Sequence, residues 1–346
     1  MKAVVYRDVE KLEVADVPDP AIEESDDAVV RVTTAAICGS DLHFYHGKAP
    51  LSPGETIGHE GMGFVESVGP DVMGFKDGDR VVVAFDNACG KCWFCRKGQT
   101  QLCEDFRTLG AGAFGGSLGG TQAEFVRVPH ADTNLLAVPE GMQDERALFV
   151  GDGLTTGYYA AGISGINARD TVAVVGAGPV GYFCIQSALL QGAGQVLAVD
   201  LEPDRLTLAE KAGATAINAS ERNPHTAVAE ATEGRGADVV IEVVGTPSGF
   251  ETAVDVVRRG GIVTIAGMYA GETIEIPLGP YWTRTLDLRF TGICPVHTWW
   301  DRAMAAVERG DIDPLPIISH TLPLADAPHG YELFDSHEAT KVVLKP

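Results

Sequence analysis

The sequence predicts a two-domain α/β protein, with a β-rich unit followed by a doubly wound parallel sheet and a tail that returns to the first unit. Three observations carry this. Residues 1–147 read as short β segments punctuated by Gly and Pro, and from Thr155 onward strands alternate with helical runs. A glycine turn, Val174-Val175-Gly176-Ala177-Gly178-Pro179-Val180-Gly181, closes the first strand of the second part. The length of 346 residues suits two domains, and the expected division is 1–153 with 294–346, and 154–293.

In the first part, 29–33, 61–68, 80–84 and 123–128 are strand-like. The glycine-rich stretch 110–120 reads as a short surface loop. In the second part, 171–175 is a buried strand, 180–191 a helix and 195–199 the next strand. A helix at 203–212, a strand at 214–217, a helix at 224–232 and a strand at 238–243 follow, then a helix at 247–257 and strands at 261–266 and 286–291. The tail carries a helix at 300–309, an extended stretch at 316–322 and a terminal strand at 341–344.

Glycines at Gly176, Gly178 and Gly181 have the spacing of a dinucleotide-binding turn. The first lets the strand turn, the second lets backbone N–H groups approach a pyrophosphate, and the third lets helix pack on strand. Pro179 and Val180 open that helix, whose positive dipole end faces the phosphates. Asp200 ends the next strand, where an acid accepts hydrogen bonds from a ribose diol and repels a 2′-phosphate. The expectation is a Rossmann-type domain that binds NAD rather than NADP.

Subtracting 48 acidic from 26 basic residues gives a net charge of −22. That disfavours nucleic acid and anionic membranes as partners. The charge fits either a protein of a salt-rich cytoplasm or an ordinary solvated acidic surface. No apolar run is long enough to cross a membrane, and Met1–Tyr6 lacks a secretory core, so a cytoplasmic enzyme is expected.

Four of the seven cysteines, Cys89, Cys92, Cys95 and Cys103, share one short segment spaced C-x2-C-x2-C-x7-C. With no export signal, the cluster argues for metal over disulfides. The long last gap and the lack of a following proline speak against an iron–sulfur cluster. Four thiolates close a tetrahedral shell around zinc and leave no open position, so the expected role is structural.

A second metal site is expected from Cys38 in Cys38-Gly39-Ser40-Asp41-Leu42-His43 and His59 in Gly58-His59-Glu60, with Asp152 as third ligand. Asp152 falls at the junction of the two predicted domains, where a metal and a nicotinamide ring would share a cleft. Three protein ligands with an open fourth position are the catalytic zinc arrangement.

In motif content and order the chain resembles, end to end, the zinc-containing alcohol dehydrogenases of the medium-chain dehydrogenase/reductase superfamily. The pattern at Asp152 is most similar to bacterial branches holding secondary-alcohol dehydrogenases and relatives of formaldehyde dehydrogenase. The resemblance implies a GroES-like catalytic domain and one catalytic and one structural zinc ion per chain. It implies hydride transfer between a small alcohol and NAD, giving an aldehyde or ketone, in a homodimer or homotetramer. It also implies a proton relay through Ser40 and His43, with Asp41 behind His59. Arg205 would flank the adenosine, Lys341 would contact the pyrophosphate, Thr156 would touch the nicotinamide and Phe85 would wall the substrate pocket. Many members carry Cys where this chain has Asp152, a harder ligand, and the resemblance makes Glu60, which lies behind the metal in the family, the rival for that place. The competing readings are a zinc-free quinone or enone reductase on the same scaffold, and a non-catalytic NAD-binding relative. Cys38, His59 and the cysteine lobe count against the first, and Ser40 with His43 against the second.

Overall fold

A computed structural model describes residues 1–116, 118–271 and 273–346. The chain falls into two compact units, Met1–Thr155 with Cys294–Pro346, and Thr156–Ile293.

The first unit opens with a hairpin, β1 (Lys2–Asp8) on β2 (Lys11–Asp16). Then come β3 (Ala28–Ala36), α1 (Asp41–Tyr45), β4 (Glu60–Val68), β5 (Arg80–Val83), the two-residue β6 (Asp86–Asn87) and α2 (Trp93–Arg96). β7 (Arg107–Thr108), β8 (Phe125–Val128), α3 (Ala131–Asn134), β9 (Leu135–Ala137) and α4 (Asp144–Ala147) complete this part. The chain passes into the second unit within α5 (Gly153–Ile163).

The second unit runs β10 (Thr171–Val175), α6 (Pro179–Leu190), β11 (Gln195–Asp200), α7 (Pro203–Lys211), β12 (Thr215–Asn218), α8 (Pro224–Ala231), β13 (Ala237–Glu242), α9 (Pro247–Val256), β14 (Val257–Ile265), α10 (Leu278–Thr283) and β15 (Asp287–Phe290). Its six strands are parallel, in the order β12-β11-β10-β13-β14-β15. Order reverses beside β10, between β11 and β13, which is the switch point of a doubly wound sheet. Alternate residues of β10 enter different cores, Val172 and Val174 on one face and Ala173 and Val175 on the other. Both faces are covered, so the strand reads as a continuous apolar run.

The tail returns to the first unit as α11 (Val296–Arg309), β16 (His320–Pro323), α12 (Ala327–Asp335) and β17 (Val342–Lys345). β16 and β17 extend the sheet β16-β17-β3-β4-β5-β9, with β8 also paired to β3. α11 starts four residues earlier than the expected helix, directly after Pro295, which a helix start tolerates.

One expectation is overturned. The stretch 110–120 is not a surface loop: Gly110, Ala111, Gly112, Gly115, Leu118 and Gly120 are buried, while Ser117 lies outside the described residues. A Cβ on Gly110 would meet the Gly58 carbonyl oxygen at 2.4 Å, and one on Gly120 the Ile57 carbonyl oxygen at 2.0 Å. The glycines let this segment pack backbone to backbone against the residues that lead into His59.

Candidate metal centres and dinucleotide turn

Strand register builds the first cluster. β3 and β4 are antiparallel, with Ala36 opposite Glu60. Cys38 lies just beyond the end of β3 and His59 just before β4, so pairing sets them side by side. Asp152 arrives by another route. Gly151 packs on β5, where a Cβ would meet the Val83 carbonyl oxygen at 2.4 Å, and its own carbonyl accepts the Phe85 N–H at 3.0 Å. Because β5 pairs with β4, this packing delivers Asp152 to the same spot.

The donor atoms of Cys38, His59 and Asp152 all lie within 4.8 Å of one another, and all three residues are buried. Cys38 Sγ is 3.4 Å and His59 Nε2 3.3 Å from Asp152 Oδ2. Tetrahedral zinc with bonds of about 2.0–2.3 Å holds its ligand atoms roughly 3.3–3.7 Å apart, so the set fits the ion. Burial pushes the Cys38 thiol up, and Asp152 and Glu60 push it further. Electron-rich groups crowded out of water in this way are what a dication relieves. Ser40 Oγ sits 3.2 Å from Cys38 Sγ and 3.1 Å from His59 Nε2. The Phe85 and His59 rings meet in an edge-type arrangement, with centroids 6.3 Å apart and planes at 65°.

His43 stands on α1, half-buried, its pKa lowered by burial and then by Lys48 and His46. His46 is outside the cluster, held by Glu10 and Asp335. Glu60 is also outside the trio and forms an ion pair with Lys341. That placement bears on both residues. Lys341 is buried against Glu60 and the Phe149 ring, so its ammonium is already engaged where a pyrophosphate contact was expected.

The four lobe cysteines also have their sulfurs within 4.8 Å of one another. Cys92 Sγ is 3.5 Å from Cys95 Sγ and 4.0 Å from Cys103 Sγ, close to the roughly 3.8 Å edge of a zinc–thiolate tetrahedron. Backbone N–H groups of Cys89 and Asp105 donate to Cys103 Sγ, and those of Cys92 and Cys95 to Cys89 Sγ and Cys92 Sγ. Such donors stabilise thiolates.

In the second unit, Gly176 has φ +95°, and a Cβ on Gly181 would meet the Gly176 carbonyl oxygen at 2.0 Å. Gly178 caps α6 and Pro179 is its first residue, with Val180 partly buried behind it. The Asp200 carboxylate accepts N–H bonds from Ala177 at 2.6 Å, Leu201 at 2.7 Å and Glu202 at 2.9 Å. A Cβ on Gly178 would lie 3.9 Å from the Arg205 guanidinium, so Arg205 stands over the turn. Thr156 is half-buried on α5.

Residues 24–140 match the alcohol dehydrogenase GroES-like domain and residues 179–309 the zinc-binding dehydrogenase domain. The chain belongs to the zinc-containing alcohol dehydrogenases of the medium-chain dehydrogenase/reductase superfamily. This dehydrogenase is 40% identical to the uncharacterized zinc-type alcohol dehydrogenase-like protein AdhB of Bacillus subtilis (strain 168), with 100% of each chain covered. Alcohol dehydrogenase TADH from Thermus sp. ATN1 superimposes with a TM-score of 0.96 at 43% identity, over 100% of this chain and 99% of that one. A zinc-binding dehydrogenase from Sinorhizobium meliloti 1021, bound to NADP, superimposes with a TM-score of 0.87 at 31% identity, over 100% and 99%. The protein is a zinc-dependent alcohol oxidoreductase with a nicotinamide cofactor, built from a GroES-like and a Rossmann-type domain. Among the described residues no helix is long and apolar enough to cross a membrane.

Proposed function

We propose that this dehydrogenase oxidises small primary or secondary alcohols with NAD and carries two zinc ions per chain. Cys38, His59 and Asp152 would hold the catalytic ion, and Cys89, Cys92, Cys95 and Cys103 the structural one. The observation that carries the reading is the convergence of a thiol, an imidazole and a carboxylate, 114 residues apart at the extremes, at ligand spacing and out of water. Zinc there supplies a Lewis acid that lowers the pKa of an alcohol hydroxyl. The nicotinamide supplies the hydride acceptor.

This chain's own residues manage the proton. The Ser40 hydroxyl borders the trio and both accepts and donates, so it takes the proton that the substrate loses. His43, its pKa lowered by burial and then by Lys48 and His46, is the base that would receive the proton from Ser40 by way of the nicotinamide ribose and hand it to solvent. Phe85 shapes the apolar side beside His59. NAD preference is supported by the Asp200 carboxylate, whose charge opposes a 2′-phosphate. Arg205 over Gly178 favours NADP as the second reading, since a guanidinium welcomes that phosphate.

A homodimer or homotetramer is supported by Leu278 and Trp282 on α10 and Phe290 on the edge strand β15, which are 75%, 81% and 68% exposed. Antiparallel pairing of two copies of β15 about Leu288 sets Asp287 opposite the second copy's Arg289, a self-complementary edge. A cytoplasmic location is the reading carried by the family.

Metal analysis with rates on a panel of primary alcohols, secondary alcohols and polyols, each with NAD and NADP, tests the proposal. Two zinc ions per chain and faster turnover with NAD are expected. A metal-free protein that reduces quinones, or one that favours NADP, overturns it.

A further inference from the structure

Behind His59 runs a buried line of polar groups that ends on the C-terminal helix α12. Tyr331 Oη donates to Gln122 Oε1 at 3.0 Å. Gln122 Nε2 donates to Asp41 Oδ2 at 3.1 Å and to the Ala36 carbonyl at 3.2 Å. Asp41 Oδ2 also accepts the Cys38 N–H at 3.0 Å, and Asp41 Oδ1 lies 3.1 Å from His59 Nδ1. Tyr331, Gln122, Asp41 and His59 are all buried.

The orientation of the amide is fixed by chemistry. A carboxylate only accepts, so the amide nitrogen of Gln122 must face Asp41 and its oxygen must face away. That oxygen needs a donor, and Tyr331 is the donor. At the other end, Asp41 Oδ1 lies 3.1 Å from His59 Nδ1 and favours the proton on that nitrogen. Nε2, 3.3 Å from Asp152, is then the nitrogen left to face an ion.

We propose that Tyr331 and Gln122 are positioning residues for the metal ligand His59, acting through Asp41. The inference rests on the reading of Cys38, His59 and Asp152 as a zinc site. Phenylalanine at 331 would fill the same space against Tyr45, whose ring centroid is 5.5 Å away, so the hydroxyl is what adds the link. Gly58 shows that the fold makes room for Gln122. It has φ +93°, and a Cβ there would meet Gln122 Cγ at 2.4 Å. Out of water, removing one member leaves its neighbour unsatisfied and free to turn, and the error passes to the imidazole.

The test compares wild type with Tyr331→Phe and Gln122→Met. The first readout is the rate of zinc loss to a chelator, resolved into two phases. Cys38→Ser, which keeps only the lobe ion, identifies the lobe phase. The second readout is the visible absorption of the cobalt(II)-substituted proteins. Both variants are expected to lose the Cys38-site ion about tenfold faster, with the lobe phase unchanged and the cobalt bands shifted. Wild-type release rates with unshifted bands in Tyr331→Phe and Gln122→Met overturn the inference while leaving the zinc site standing. Equal metal content in wild type and Cys38→Ser overturns the site and the inference together. Should Tyr331→Phe fail to fold, Gln122→Met decides alone.

Discussion

Glu60 and Lys341 form an ion pair with both side chains out of water, 1% and 2% exposed. The pair ties the first residue of β4 to the tail just before β17. Lys341→Met leaves the Glu60 charge buried without its partner and should cost about 3–5 kcal/mol of stability. Chemical denaturation measures this, and Glu60→Gln combined with Lys341→Met should recover much of the loss. A cost below about 1 kcal/mol for Lys341→Met would show that Glu60 has another partner.

Cys38→Ser should abolish alcohol oxidation while one zinc per chain remains. Cys103→Ser should instead release the lobe ion and lower the thermal midpoint, because bound structural metal is folding free energy. Metal analysis beside melting curves separates the two. Full activity in Cys38→Ser would end the metal-site reading.

Asp200→Gly should cut the preference for NAD over NADP, in kcat/KM, by about tenfold or more, a change of about 1.4 kcal/mol. It should also raise the KM for NAD, because the N–H of Ala177 loses its acceptor and the glycine turn its anchor. An unchanged cofactor ratio would remove Asp200 from the selectivity argument.

Two groups set opposite pH arms of stability. Burial would raise the Asp27 carboxyl, but the Arg127 guanidinium at 2.6 Å and the N–H groups of Glu24 and Glu23 outweigh it and hold it below its ordinary value. Its contribution is complete above the unfolded pKa of about 3.9 and is lost as pH falls through the lower folded value. Burial would lower the His46 pKa, but Asp335 at 2.7 Å and Glu10 at 3.0 Å outweigh it and raise it. Its contribution is complete below about pH 6.5 and is lost as pH rises through the higher folded value. Asp27→Asn should therefore flatten the acid arm and His46→Gln the neutral-to-alkaline arm in denaturation measured across pH. A destabilisation by His46→Gln that is equal on both sides of neutrality would contradict the second assignment.

Trp282→Lys with Phe290→Lys should yield a smaller species in light scattering than wild type, because two largely exposed apolar side chains would be replaced by like charges. An unchanged mass would place the subunit contact elsewhere.

Much of the architecture is legible in the letters. The lobe sulfurs need only local spacing to meet, and the Val-rich runs of the second unit announce strands buried on both faces. The place of Asp152 is not written in spacing. It depends on the register of β3 on β4 and on Gly151 packing against β5, so in the letters only its place at the predicted domain junction and the family pattern point to it. The helix α5 gives no periodic stripe, because its apolar and small residues run all round it. The helix α12 is not legible in the letters, because Pro328 and Gly330 interrupt a short run. Gln122 and Tyr331 went unseen for a different reason. A buried amide and phenol belong to no motif, and only the fold brings residues 209 apart into one bond.

Both clusters of metal donors found among the described residues belong to the unit of Met1–Thr155 and Cys294–Pro346, while the glycine turn, Asp200 and Arg205 belong to Thr156–Ile293. On the reading proposed above, mineral nutrition and coenzyme taste are inherited on separate stretches of polypeptide. A lineage can retune one by recombination within this gene without rewriting the other.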